Sequence, residues 1–368
     1  MIFERQLKTA AAVALLACGG AVAVQPAPAA AADYAALNAA IVDDYVLPRY
    51  AAFAETTAVL ESELRRACSD DVLQAEEAAA AYNDAMDAWM AVQHLRFGPA
   101  ELFLRNERIE FWPDKRGVVG RHLAQMLAEQ NPKALEPQTF ASGSVAVQGF
   151  PALERLMFDS EASTWETPFG CAVSVAIGRN LKDIAAGLLA DWQGGEIHYA
   201  QVVRSATEGN ERYFDAKEAS LDFAKSLRGA ILLVQDYKLG RPLGEQPESA
   251  RDTRAESWRS ARSLRNVLVN LKAAQALYEV GGDDSFSAQV RQHPQGAELD
   301  RVIRAALERL IAAVEAEPAS LVAALKAPDG WDRLDAIRTE ARQLLELMGG
   351  PLSEVLELPM GFNSYDGD

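Results

Sequence analysis

Apolar side chains recur at helical spacing along most of this chain, and no stretch of useful length alternates as a strand does. Two clear stripes begin at Leu37 and at Cys171. The first continues through Ile41, Tyr45, Leu60 and Leu64, and the second through Val175, Leu181, Ala185, Leu188 and Trp192. With 49% hydrophobic residues among 368, the chain is long enough to bury two cores. We therefore predict an all-α fold built as two lobes of bundled helices.

The polar stretch at residues 160–169, which contains Pro168, is the best candidate for a domain boundary. We therefore expect an N-terminal helical lobe at residues 33–165 and a C-terminal helical lobe at residues 166–368, ending in a docking tail. The sequence contains no repeat of short period, although two helical halves would be compatible with an old duplication.

Residues 1–32 have the pattern of a secretory signal peptide, with a short positive start, an apolar run at residues 10–24 and small residues after it. Two routes of maturation remain open. Leu15-Leu16-Ala17-Cys18 resembles a bacterial lipobox, which would lipidate Cys18, whereas cleavage near Ala32 would release a soluble protein. Both routes export the chain, so we expect a periplasmic protein that is either soluble or lipid-anchored.

The formal net charge of −17 argues against nucleic-acid binding, because such proteins need a basic surface to displace phosphate counterions. The same charge disfavours attraction to anionic lipid and permits a cationic ligand. The sequence lacks H-E-x-x-H, P-loop and G-x-S-x-G motifs, and 3 Cys with 4 His are too few for a dense zinc framework. We expect no nucleic-acid partner.

Cleavage near Ala32 would leave Cys68 and Cys171 as the cysteines of the mature protein. Export to an oxidising compartment makes a disulfide between them plausible. The alternative is two separately buried thiols. Since Cys68 follows the first long helical pattern and Cys171 opens a later one, a bridge would join the two lobes.

The segment Gly149-Phe150-Pro151-Ala152-Leu153-Glu154 is typical of a helix start, because proline lacks only a hydrogen that the first turn does not use. Glu154 would then lie in the first helical turn. There it would either present a carboxylate to a cleft or simply favour the helix dipole.

A second candidate lies in a helical pattern over Thr253–Tyr278, where Glu256 and Ser260 fall on one side of the helix, beside an apolar stripe. Short polar side chains in that position either bind a ligand or form hydrogen bonds to a neighbouring helix.

Two loop segments complete the candidate residues. Trp112-Pro113-Asp114 is an unusual loop sequence, in which Asp114 is either a ligand or a turn cap. The C-terminal tail contains Asn363 and Asp366 between two aromatic residues, and it either frays or docks and supplies oxygen ligands.

Several segments together resemble the imelysin-like family of exported bacterial proteins (peptidase M75, iron-regulated protein A-like), over nearly the whole mature chain. They are Leu47–Tyr50, Arg96–Pro99, Trp112–Asp114, Gly149–Glu154, Lys238–Gly244, Glu256–Ser260 and the Gly-Phe-Asn…Asp-Gly-Asp ending. The resemblance implies an all-α, two-lobed fold with a site between the lobes, a periplasmic or surface location and an association with iron acquisition. Some members of the family are classed as metallopeptidases.

The family motif is G-x-H-x-x-E, and this chain resembles the lipoprotein-like subgroup that departs from it. Gly149 and Glu154 match the motif, whereas Pro151 stands where histidine is expected. Since proline offers no donor atom, a metal here would depend on carboxylates and other oxygens, which favours hard ions. Peptidase chemistry also needs an activated nucleophile and a general base, and nothing local supplies that set.

We therefore expect an exported, non-catalytic component of bacterial iron or metal uptake, holding a metal or a metal-bearing small ligand and working with an uptake partner in the periplasm or membrane. Iron or another hard ion would be bound by Glu154 and Asp114, with Arg259 balancing charge. The alternatives are a metallopeptidase of the imelysin type and a helical periplasmic adaptor without a small ligand. The predicted site comprises Trp112, Asp114, Glu154, Glu256, Arg259, Ser260, Asn363 and Asp366.

Overall fold

The computed structural model describes residues 32–69, 75–159 and 167–361. Within these ranges the chain is helical and contains no strand, which confirms the predicted all-α class. The predicted signal peptide, except Ala32, lies outside the described residues, as do Cys18, Asn363 and Asp366. No helix in the described ranges is both long and apolar enough to cross a membrane.

Seventeen α-helical segments follow one another within the described ranges, joined by turns and by short helical segments of other pitch. They are α1 (Tyr34–Ile41), α2 (Leu47–Ala67), α3 (Ala75–Met90), α4 (Arg105–Ile109), α5 (Val118–Glu129), α6 (Pro137–Ala141), α7 (Phe150–Phe158), α8 (Pro168–Gln193), α9 (Tyr199–Ser205), α10 (Ala216–Leu232), α11 (Arg241–Leu243), α12 (Ser263–Glu279), α13 (Phe286–Gln292), α14 (Gly296–Glu315), α15 (Leu321–Lys326), α16 (Gly330–Leu347) and α17 (Ser353–Val355).

Proline changes the pitch of three helices without ending them. Helix α1 continues into α2 through Pro48 by way of a wider π-helical turn. A proline lacks the N–H that the preceding turn needs, and its ring crowds the carbonyl one turn back, so a widened turn relieves the contact. Among the described residues, the π-helical segments are Val42–Val46 before Pro48, Leu233–Gly240 before Pro242, and Met348–Leu352 around Pro351.

Helices α2, α3, α7 and α8 meet in an aromatic core that fixes the start of α7. Phe53 of α2 lies with its ring centroid 5.5 Å from that of Trp89 and 6.5 Å from that of Phe150. Tyr50 stacks on Trp192 of α8 at 6.1 Å. Each such side chain contributes about 1.5–3 kcal/mol when fully buried, so this core holds α7 firmly against α2 and α3.

A disulfide reinforces the contact between α2 and α8. Cys68 follows α2 directly and Cys171 lies in the first turn of α8, and the structure joins them with their Cα atoms 5.7 Å apart. The two helices also pack along much of their length. A helix from the predicted C-terminal lobe thus lies against one from the predicted N-terminal lobe, and the division at residue 165 stays a prediction.

The later helices form a second layer. Helices α10, α12, α14 and α16 pack against one another, α12 also contacts α3, and α1 lies on α10. The contact between α12 and α3 brings the residues that precede α12 close to α7 and to the segment between α4 and α5, where the candidate site lies.

Candidate functional site

One cavity of about 350 Å³ collects five of the residues predicted from the sequence. Trp112, Asp114, Glu154, Glu256 and Arg259 all line it. Its wall comes from both sides of the predicted boundary at residue 165. The remaining lining residues are Tyr82, Met86, Glu110, Phe111, Pro113, Gly117, Val119, Pro151, Arg155, Arg241, Thr253, Arg254, Ala255, Ser257 and Trp258.

The segment before α12 is a loop, so the helix predicted over Thr253–Tyr278 is wrong in its first ten residues. Helix α12 begins only at Ser263, and Ser257 and Ala261 adopt left-handed backbone conformations with φ of 50° and 57°. Side chains other than glycine rarely take that conformation, and such residues gather at functional sites. The loop turns the backbone N–H of Ser260 toward α7, which a continuous helix would not do.

Glu154 is buried and receives two hydrogen bonds from this loop. The Ser260 N–H lies 2.9 Å and the Ser260 hydroxyl 2.8 Å from the Glu154 Oε1. Because α7 begins at Phe150, Glu154 is the fifth residue of the helix. It lies just past the first turn, where the sequence predicts it and where a carboxylate favours the helix dipole. Burial raises the pKa of Glu154, and the hydrogen bonds from Ser260 partly oppose that shift.

Two residues that line the cavity, Glu154 and Tyr82, each have an oxygen that can still form a hydrogen bond. Within the described part of the chain, no hydrogen bond reaches the Glu154 Oε2, since both bonds from Ser260 go to Oε1. The Tyr82 hydroxyl is fully buried and makes no hydrogen bond of normal geometry among the described residues. Burial and the nearby Glu154 raise the pKa of Tyr82, whereas Ser260 acts in the opposite direction. An unsatisfied buried polar group costs free energy, so a ligand that bonds both oxygens would recover it.

A buried ion pair underlies the cavity. The Lys238 Nζ lies 2.6 Å from the Glu256 Oε2, with both side chains at most 2% exposed. Asn266 donates to the same oxygen at 2.6 Å, and Gln93 donates to both Glu256 and Glu110. This network satisfies the charges and leaves Glu256 little freedom to bind a ligand directly.

Glu110 lies beside that ion pair. Burial and the negative charge of Glu256 raise the pKa of Glu110 well above its ordinary value, while Lys238 acts in the opposite direction. Its Oε2 accepts a hydrogen bond from the Trp89 Nε1 at 2.6 Å. Burial and Glu256 therefore favour the neutral form of Glu110.

Asp114 caps α5. Its Oδ1 accepts from the Val118 N–H at 2.9 Å and its Oδ2 from the Val119 N–H at 2.8 Å. These bonds satisfy two of the donors that open a helix, which is the cap alternative stated for this residue. The role of Asp114 as a metal ligand stays a prediction. A metal ion bound there would compete with these N–H groups for the carboxylate oxygens.

Trp112 stands between this cavity and a second one of about 490 Å³. The residues from Glu110 to Asp114 line both cavities, so they form a shared wall. Arg259 lines the first cavity from the loop before α12. Its guanidinium lies 4.2 Å from the centre of the Trp258 ring, and its Nε lies 3.2 Å from the Asp159 Oδ2.

The protein side chains alone do not make a complete metal site. Among the described residues, no group of three or more His, Cys, Asp or Glu side chains is placed to hold one ion. Hard ions take six or more oxygen ligands, of which proteins usually supply several carboxylates. A metal here would need oxygens from a second molecule or from the tail containing Asn363 and Asp366, which lies outside the described residues.

The sequence alone does not identify several residues that line the cavity or lie directly behind it. Lys238 belongs to a segment that carries the family resemblance, but nothing in its spacing pairs it with Glu256. Tyr82, Arg241 and Arg254 lie on helical or turn positions without an unusual neighbour pattern. These three side chains matter because they line the cavity without a side-chain hydrogen bond to any described residue, and only the folded chain shows that.

The comparisons with known proteins agree with this architecture. A family model described as Imelysin (peptidase M75) matches residues 46–348. Iron-regulated protein A of Synechococcus elongatus is 27% identical over 303 residues, which cover 78% of this chain and 79% of that protein.

Two solved structures share the fold. An imelysin-like protein from Psychrobacter arcticum 273-4 has a TM-score of 0.72 at 18% identity, covering 90% of this chain and 99% of its own. An iron-regulated protein A precursor from Parabacteroides distasonis has a TM-score of 0.71 at 16% identity, covering 88% of this chain and 97% of its own. The matched family model spans most of the chain, and the protein therefore belongs to the imelysin family.

Proposed function

We propose that this protein is an exported, non-catalytic binding component of bacterial iron or metal uptake, which holds a metal-bearing small ligand in the cavity between α7 and the loop before α12. The observation that carries the proposal is the convergence of Trp112, Asp114, Glu154, Glu256 and Arg259 on that one cavity. A cavity of about 350 Å³ lies within the usual range for small-molecule sites. The name of the Synechococcus relative, Iron-regulated protein A, supports an association with iron.

The bonding capacity of the cavity favours a ligand that brings its own oxygens. Glu154 offers one free oxygen and Tyr82 one hydroxyl, while Glu256 and Asp114 are engaged by Lys238 and by backbone N–H groups. A bare ion would find too few partners, whereas a chelated ion needs only one or two from the protein. We propose that the loaded protein then meets an uptake partner in the periplasm or membrane.

A peptidase role has weaker support. Pro151 lines the cavity where the family motif has histidine, and its side chain has no atom that could bind a metal or move a proton. Glu154 is held by two hydrogen bonds from Ser260, an arrangement that suits a fixed acceptor.

Glu154→Gln tests the proposal, because it keeps the shape of the side chain and removes its charge. Wild-type protein recovered from a bacterial periplasm should carry iron or another hard metal by elemental analysis, with a metal-bearing adduct in native mass spectrometry. Glu154→Gln should lose most of that metal and melt at a higher temperature when empty, since a buried carboxylate is costly. Glu136→Gln, at an exposed position without a side-chain hydrogen bond to its helix, is the matched control.

The proposal fails if wild-type protein carries neither metal nor a metal-bearing adduct. Equal metal content in wild type and Glu154→Gln would leave metal binding intact and show that Glu154 is structural. Cleavage of a peptide substrate that a chelator abolishes would favour the metallopeptidase alternative.

A further inference from the structure

Two arginines that line the cavity have no side-chain partner among the residues that the structure describes. Arg241, half-buried at the start of α11, and Arg254, exposed in the loop before α12, both line the cavity. Within the described residues, neither guanidinium forms an ion pair, a side-chain hydrogen bond or a contact over an aromatic ring. Each guanidinium carries five N–H donors in a planar fork that suits carboxylates.

The other two arginines of the cavity share a single carboxylate. The Asp159 Oδ2 lies 3.2 Å from the Arg259 Nε and 3.8 Å from the Arg155 Nη2. Four guanidinium groups therefore face the same cavity or its rim with one acidic side chain between two of them. Glu154 and Asp114 lie near enough to Arg155, and Glu154 to Arg259, to offset part of the repulsion between these two arginines.

The acidic residues of the cavity pair with groups other than Arg241 and Arg254 among the described residues. Glu256 is paired with Lys238, and Asp114 is bound by the N–H groups that open α5. Glu154 accepts hydrogen bonds from Ser260. Burial and Glu256 raise the pKa of Glu110, which favours its neutral form. Arg241 and Arg254 thus present unpaired positive charge to the cavity, in a chain whose formal net charge is −17.

The two unpaired guanidinium groups favour an anionic ligand. Positive charge in a concave site attracts anions even when the rest of the surface repels them. Half-buried aromatic side chains stand beside the arginines and offer flat apolar contacts to the carbon skeleton of an organic ligand. They are Phe111, Trp112 and Trp258.

Resting on the proposed function, we infer that the cavity binds a small carboxylate-rich organic anion, gripped by Arg241 and Arg254, and that the metal enters as the chelate of this anion. The carboxylates of the ligand pair with the two free guanidinium groups. Glu154 and Tyr82 line the same cavity, and their oxygens are the protein groups that complete the contacts to the metal or to a ligand hydroxyl. Recognition through the anion explains why the described side chains lack a full set of metal ligands.

Isothermal titration calorimetry on the mature full-length chain tests the inference, with citrate and iron(III) citrate as carboxylate probes and inorganic phosphate as a second oxyanion. Wild type should bind both citrate forms, and phosphate at least tenfold more weakly. Arg241→Gln and Arg254→Gln should each weaken citrate binding tenfold or more, and the double variant should abolish it. Raising the salt concentration should weaken citrate binding to wild type more than to either single variant.

Arg251→Gln is the matched control, because Arg251 lies three residues from Arg254, is exposed and does not line the cavity. Thermal unfolding of each variant shows whether it is folded, and the exposed Arg254 keeps the test decisive if Arg241→Gln is unstable. The inference is overturned if wild type ignores both citrate forms, if the double variant binds them as wild type does, or if phosphate binds as tightly as citrate.

The outcomes separate this inference from the proposed function. Citrate binding that depends on Arg241 and Arg254 in a protein that never retains metal would support the anion site and refute the metal-uptake role. Metal retention that depends on Glu154, with no response to citrate, would support the uptake role and refute the anion site.

Discussion

Gly149 lies against the backbone of Ile109 so closely that a Cβ at residue 149 would stand 2.0 Å from the Ile109 carbonyl oxygen. The glycine of the family motif therefore serves packing. It lets the start of α7 touch the end of α4, directly before Glu110, and so holds two walls of the cavity together. Backbone atoms on both sides cannot move aside as a flexible side chain would.

Gly149→Ala should destabilise the fold by at least about 1–3 kcal/mol, the usual cost of forcing extra atoms into a packed site. Gly350→Ala is the control, since nothing lies within 4 Å of a Cβ at that position and its φ suits any residue. Urea unfolding of both variants measures the difference. Equal stability of the two variants would contradict the close contact.

Glu110→Gln should be at least as stable as wild type at neutral pH. A carboxyl whose pKa is raised in the fold binds its proton more tightly there than in the unfolded chain, so it loses stability as pH rises above its ordinary pKa of 4.5. Glutamine can still accept from Trp89 and donate toward Glu256. The stability of wild type relative to the variant should therefore fall between pH 4.5 and neutrality, as urea unfolding at several pH values would show.

Glu256→Gln is the contrasting change in the same network. It leaves the Lys238 ammonium buried without its counterion, which typically costs about 3–5 kcal/mol. The two glutamine variants should thus differ in sign at neutral pH. A loss of stability in Glu110→Gln as large as that in Glu256→Gln would show that Glu110 is charged in the fold.

His94 makes the protein sensitive to acid. Burial, with a smaller contribution from Arg49, lowers its pKa from 6.5 to about 3, and its Nε2 lies 2.9 Å from the Tyr45 hydroxyl. The unfolded chain takes up a proton below pH 6.5 that the folded chain refuses, so stability falls toward pH 3 by up to about 1.4 kcal/mol per pH unit.

His94→Gln keeps a donor for Tyr45 and removes this proton, so its stability should fall less steeply between pH 6.5 and pH 4. His198→Asn, at an exposed left-handed position that asparagine tolerates, is the control. The measurement is the free energy of unfolding in urea as a function of pH. An unchanged slope in His94→Gln would assign the acid sensitivity to other groups.

Ala261→Gly should stabilise the loop before α12. Alanine at φ 57° has a steric strain of roughly 1–2 kcal/mol that glycine lacks. About 0.5–1 kcal/mol of the stability gained is lost again, because glycine gives the unfolded chain more conformational freedom. Ala80→Gly, on the exposed face of α3, should instead destabilise by about 1 kcal/mol. Thermal unfolding that shifts both variants in the same direction would contradict the left-handed conformation.

The sequence predicts the helices well because helical periodicity records which face of each segment is buried. It predicts Trp112, Glu154 and Arg259 as site residues from their local segments together with the family resemblance, and all three line one cavity. It misplaces the start of α12, because the apolar stripe runs on through residues 255–262 while Ser260 turns its N–H to Glu154. That preference is tertiary, and no local pattern encodes it.

Arg241 and Arg254 show a second limit of prediction from sequence. Arg241 and Arg254 are two among 36 basic residues, and nothing near them in the sequence sets them apart from surface arginines that have partners. Whether a charge is balanced depends on what the fold brings to it. A sequence therefore indicates where chemistry is concentrated more readily than it indicates which charges remain unsatisfied.

The bridge between Cys68 and Cys171 closes a covalent ring around the 102 residues between the two cysteines, whose sequence separation is 103. Trp112, Asp114 and Glu154 lie on this ring, whereas the loop with Arg259 lies outside it. A protease that cuts the ring once leaves both pieces joined through sulfur, so they separate only after reduction. Twelve of the twenty residues that line the cavity are thus tied to the body of the protein by two covalent routes, and a protease must cut twice within the ring to release any of them.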